Sequence, residues 1–239
     1  MKRSRNTAIA ALAIYLLAAP IITGVLNAIS PIKLLGDLAG YIFAVVLVVS
    51  MTGKNEERTG YGLCRGDHKG LRPLAIILFF MPLINIPYIF VGMDLTARVI
   101  LQAIYVGFME EFIFRGAFFK FAKEKWGEHK AIVITSIAFG MIHLLNLGSD
   151  KLYFILLQVV YAAGIGFALS VFRAKSGSLL IPVIVHGLVD ILGLAARESN
   201  YIIDTAGGIV CVAVGVICYV IYRRQLKASP EAQTVPATA

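Results

Sequence analysis

The sequence predicts an all-α protein, a polytopic membrane helix bundle of about eight transmembrane helices. Three observations predict it. Of 239 residues, 59% are hydrophobic and 15% charged, with a mean hydropathy of +0.81, whereas soluble domains run at roughly 45–50% apolar and about 25% charged. Apolar stretches of spanning length, roughly 17–25 residues, recur along the whole chain. The lysines and arginines cluster between alternate stretches.

The predicted spans are 7–29, 36–52, 73–92, 97–119, 131–147, 152–172, 178–196 and 203–222. The first comes after a basic start, "MKRSR", and has the look of a secretory signal. Its apolar run continues to Ile29, past the roughly 7–15 residues of a signal core, so it reads as a span. With the N-terminus inside, the inner segments hold Lys2, Arg3 and Arg5; Lys54, Arg58, Arg65, Lys69 and Arg72; Lys120, Lys123, Lys125 and Lys130; Arg173 and Lys175; and Arg223, Arg224 and Lys227. That is seventeen, against Lys33, Arg98, Lys151 and Arg197 outside, with Arg115 inside a span. The asymmetry predicts a multi-pass protein of the cell membrane with both termini cytoplasmic. It also accounts for the net charge of +8 through loops lying beside anionic lipid, so no nucleic-acid partner is implied. Residues 1–227 read as a single membrane-embedded domain, and the small, polar tail 228–239 as disordered. Cys64, Cys211 and Cys218 have no CxxC or Cys/His spacing and make neither a disulfide framework nor a metal site.

Ionisable residues inside the spans are few. The fourth holds Glu110, Glu111 and Arg115 in "YVGFMEEFIFRGAFF", the fifth His143 in "IAFGMIHLLN", and the seventh His186 and Asp190 in "IPVIVHGLVDILG". A charge at the centre of a span costs roughly 2.5–3.5 kcal/mol on insertion scales, so idle ones are selected against. At ~1.5 Å per residue, Glu110 lies about 14 Å, Glu111 about 12 Å, His143 about 18 Å, His186 about 12 Å and Asp190 about 18 Å from the inner edge. Three spans thus bring two histidines and three carboxylates to one layer.

Helical spacing sorts these groups. Glu111 and Arg115, at i and i+4, share a face and neutralise each other, a structural pairing. Glu110, rotated about 100° away, has no partner in its own helix and points toward another surface. His186 and Asp190 repeat the i,i+4 spacing, as do Phe139 and His143, where the ring walls the imidazole. Gly116, Gly140 and Gly187 permit close helix approach nearby. A carboxylate and imidazoles in a partly dry layer suit water activation: the carboxylate as general base, one imidazole holding the water, another donating to a tetrahedral oxyanion. Glu110, His143, His186 and Asp190 are equally a possible ligand set for zinc. There is no H-E-x-x-H, and spacing does not demand a metal.

"EEFIFR" (Glu110 to Arg115), "FGMIH" (Phe139 to His143) and "HGLVD" (His186 to Asp190) resemble, in order, the E-E-x-x-x-R, F-x-x-x-H and H-x-x-x-N/D motifs of the CAAX protease and bacteriocin-processing family of intramembrane endopeptidases, also called the Abi family. The motif-bearing region is 105–190. The resemblance implies a hydrolase, a membrane-embedded protease, glutamate- or metal-dependent, that cuts a peptide or lipid-modified protein at or near the cytoplasmic side of the bilayer. By that analogy Glu110 and His143 activate the water, His186 and Asp190 stabilise the oxyanion, and Glu111, Arg115 and Phe139 support them. Prenyl-protein processing members typically have Asn where this chain has Asp190, so Asp190 donates when protonated, orients His186 or ligates a metal. Two other classes use the same buried groups: a proton-coupled transporter and a non-catalytic peptide-binding or immunity protein. No paired repeats or matched Gly/Pro-broken spans of a carrier are visible.

Overall fold

The computed structural model describes residues 1–30 and 32–228; the predicted disordered tail, beyond residue 228, lies outside them. Among the described residues the chain is helical, with two isolated β-bridges and no strand. Helix α1 is Lys2–Ile29, α2 Lys33–Ser50 and α4 Arg72–Val91, with the short α3, Asn55–Gly60, in the loop between the last two. Helix α5, Ala97–Glu111, continues through a π-helical stretch, Phe112–Phe118, into α6, Phe119–Trp126. The remaining helices are α7 (Glu128–Asn146), α8 (Leu152–Ser176), α9 (Leu180–Ala195) and α10 (Tyr201–Ala228). Each predicted span falls on one of these helical segments.

Six of them, α1, α2, α4, α7, α8 and α10, are long and apolar enough to cross a membrane. The other two fall short for opposite reasons. The α5–α6 rod carries Arg98, Glu110, Glu111 and Arg115, and α9 has only 16 residues. The large apolar side chains on the outside, Phe90, Ile202 and Ile29 among them, belong in lipid. The chain is a multi-pass membrane protein built as an all-α bundle.

Local chemistry explains the irregular turns. Pro20 has no N–H, and its ring crowds the carbonyl four residues back; just before it α1 widens into a π turn, Ile14–Ala18, where the Ala19 N–H reaches back five residues to Ile14 O. Pro82 likewise lies within the 3₁₀ turn Met81–Asn85 of α4, and Pro87 follows it. Where α5 crosses α9 the backbones nearly touch: a Cβ on Gly107 would sit 2.9 Å from the Gly187 nitrogen. Gly187 itself has room, so the glycine that this crossing requires is Gly107. At Gly140 a Cβ would meet Val159 O on α8 at 2.5 Å, which lays α7 tightly on α8.

Hydrogen bonds tie the loops into two separate ends. At one end Arg3 pairs with Glu57 at 2.5 Å, Ser4 donates to Glu124 at 2.6 Å, Leu179 N donates to Gly62 O at 2.9 Å, and Tyr222 donates to Glu128 at 3.0 Å. At the other Asp94 N donates to Ala195 O at 2.7 Å, Tyr88 to Asp204 at 2.7 Å and Ser199 to Asp150 at 2.7 Å, while Arg98 pairs with Asp37 at 2.6 Å. The loops predicted to be inner meet at the first end and those predicted to be outer at the second.

Candidate active site

The site is assembled where α5, α7 and α9 meet, with one group from α1. Glu110 and Glu111 occupy the last turn of α5, just before the π-helical stretch, in which Phe119 N–H reaches back five residues to Phe114 O. Such a turn inserts a residue into the helix and re-aims the side chains C-terminal to it. Arg115, wholly buried, donates to Glu111 Oε1 at 2.8 Å, the pairing that the spacing predicts. Its guanidinium lies over the Phe139 ring, 4.0 Å from the centroid.

Glu111 does more than neutralise Arg115. The same oxygen, Oε1, accepts from His186 Nδ1 at 2.9 Å. A carboxylate accepts, so Nδ1 carries a proton and Nε2 points away from Glu111. Nε2 faces Glu110 Oε2 at 3.7 Å and Asp190 Oδ2 at 3.5 Å. The two adjacent glutamates, rotated apart on one helix, therefore address the two nitrogens of a single imidazole, Glu111 through a hydrogen bond and Glu110 from 3.7 Å. Nε2 thus faces two carboxyl groups from two different helices.

His143 opens the 3₁₀ turn, His143–Asn146, that ends α7, and its Nδ1 donates to Phe139 O at 2.9 Å. That bond leaves Nε2 with a free lone pair, the form that takes a proton from water. Phe139 stands edge-on between both imidazoles, its centroid 5.2 Å from His143 and 5.4 Å from His186. Phe139, His143, His186 and Asp190 line a cavity of about 670 Å³. Glu110 is not among its lining residues; it is buried, with Oε2 3.7 Å from His186 Nε2.

One partner of the site is not apparent from the sequence. Tyr15, in the π turn of α1, donates to Glu110 Oε1 at 2.6 Å. Its signal is slight, a single hydroxyl in "LAIYLLAAP", and nothing in spacing connects it to a glutamate 95 residues away. Arg173 on α8, expected as an inner loop cation, is instead buried, donating to Arg115 O at 3.1 Å and Gly60 O at 2.9 Å beneath the site. For the zinc expectation, no three His, Cys, Asp or Glu among the described residues form a group arranged to hold a metal ion. His186 Nδ1 is turned to Glu111 and His143 Nδ1 to a carbonyl, so neither ring offers that nitrogen as a ligand.

Residues 92–192 match the Rce1-like family, described as type II CAAX prenyl endopeptidase Rce1-like. No curated protein and no solved structure matches the chain. The match begins before α5 and ends within α9, so it takes in Glu110, Glu111, Arg115, Phe139, His143, His186 and Asp190 and leaves out Tyr15. The resemblance read from three short motifs is thereby borne out: the segment that carries them is similar to the Rce1-like CAAX prenyl endopeptidases, a family of membrane proteases.

Proposed function

We propose that the chain hydrolyses a peptide bond in the cavity beside His143 and His186, with a water activated by His143 and Glu110. The water's oxygen adds to the peptide carbonyl carbon, its proton passes to His143 Nε2, with the negative charge of Glu110 supporting that transfer, and the C–N bond then breaks as the amine takes that proton. His186 Nε2, held by Glu111 and adjoined by Asp190, faces the developing oxyanion. Glu111 and Arg115 hold the imidazole in place, and Phe139 keeps the two rings apart. The observation that carries this reading is that both imidazoles and Asp190 open on one cavity, with Glu110 3.7 Å from His186. Both termini are cytoplasmic in this reading, which the gathering of the basic loops at one end supports.

The test is turnover of a quenched-fluorescence peptide mixture by the purified protein. Glu110→Gln and His143→Ala should each abolish cleavage while the protein stays folded. Chelator treatment should leave the rate unchanged if the glutamate acts without a metal, and its loss with recovery on adding Zn²⁺ would establish the metal-dependent alternative. Cleavage that survives Glu110→Gln would defeat the assignment.

A further inference from the structure

The cavity's mouth lies among Ser149, Asp150 and Lys151, after α7, and Glu198 and Ser199, after α9. That end of the bundle holds Lys33, Arg98, Lys151 and Arg197, while the seventeen basic residues predicted to be inner, the buried Arg173 among them, lie on the helix ends and loops of the opposite end. The opposite end is closed beneath the site. Tyr61, Phe112 and Leu179 are buried there, Ser178 donates to Cys64 O at 2.6 Å, and Arg173 donates to Arg115 O. By the rule that places basic loops in the cytoplasm, the open end faces away from it.

We propose that the cavity is entered from the non-cytoplasmic side and that its guest is an extended peptide segment presented on that face. This replaces the cytoplasmic approach expected from the resemblance. The walls between mouth and imidazoles mix apolar side chains, Ile84, Phe154 and Leu157 among them, with the polar Asn85, Gln158 and Tyr161. An extended peptide, with polar backbone groups between its side chains, suits such a mixed wall. That the guest is a peptide to be cut rests on the protease reading; the side of entry rests on geometry and charge alone.

Thiol labelling decides the side. Cys211 and Cys218 are buried and Cys64, at the basic end, is partly exposed, so Cys64 marks the cytoplasmic side in the parent protein. In a Cys64→Ser background, Gln158→Cys within the cavity, and Ser149→Cys at its mouth as a second position, should react with a membrane-impermeant maleimide in sealed right-side-out vesicles. The parent should react only in inside-out vesicles. Labelling of both variants only from inside-out vesicles, or from neither, would overturn the proposal. A membrane-impermeant quenched peptide mixture should be cut by right-side-out vesicles, and cutting by inside-out vesicles alone would overturn it too. Cutting by neither, with labelling as expected, would overturn the peptide guest and the protease reading while leaving the side of entry standing.

Discussion

Glu111 Oε1 accepts from a guanidinium and an imidazole at once, so a change at Glu111 reaches both. Glu111→Gln leaves Arg115 buried without its counter-charge and should lower stability by about 3–5 kcal/mol, read as lost folded yield or a lower melting temperature in detergent. Glu110→Gln should melt close to the parent and not cut. Equal loss of folded protein in both would contradict this division. Tyr15→Phe keeps the ring and removes the donor to Glu110; a hydrogen bond to a charged group is worth about 1.5–3 kcal/mol, so turnover should fall roughly 10- to 100-fold with the fold unchanged. For Asp190, 3.5 Å from His186 Nε2, the orienting role predicts that Asp190→Asn lowers turnover about 10- to 100-fold across neutral pH, because an amide accepts more weakly than a carboxylate. A pH profile with an equal or higher rate would show instead that this position donates to the oxyanion.

The helices themselves are legible in the sequence, because hydropathy records what faces lipid and charge records where the chain turns back. The π turns in α1 and at Phe112–Phe118 are not. One extra residue in a turn changes no composition, yet it decides where Tyr15 and Arg115 aim. The crossing glycines are partly legible: Gly140 does meet backbone, whereas at the α5–α9 crossing the essential one is Gly107 rather than Gly187, since the sequence shows a glycine without its neighbour. Gly140→Ala should therefore cost about 1–3 kcal/mol by overpacking against Val159 O, measurable as a lowered melting temperature. A tie between elements also sets a pH dependence. Partial burial pushes the Glu124 carboxyl up, but donation from Lys120, Ser4 and the amino terminus outweighs it and holds the group at about 2. A depressed carboxylate contributes stability above its unfolded value, near 4.3, and that contribution goes as pH falls through the folded value. The stability difference between parent and Glu124→Gln, at most about 1 kcal/mol, should thus be full at pH 6 and vanish toward pH 2.

Across the whole molecule, counting residues along straight helices gives depth, and on that count the sequence sets Glu110, His143, His186 and Asp190 in one layer. The cavity that joins His143, His186 and Asp190, and the end at which it opens, are not legible, since both depend on how the helices lean together. The shortness of α9 has a consequence for the surrounding lipid. Sixteen residues rise roughly 24 Å, less than the ~30 Å hydrocarbon core. Leu180, Ile184 and Leu188 form an exposed stripe along this helix, while His186 and Asp190 line the cavity. The bilayer beside α9 must therefore thin by several ångströms to match that stripe, at a cost that rises with each ångström of mismatch. Thicker bilayers should strain the one helix that carries His186. Turnover in vesicles of short-chain phosphatidylcholine should exceed that in long-chain vesicles of the same headgroup, and a rate indifferent to acyl length would mean that the lipid does not reach the chemistry through α9.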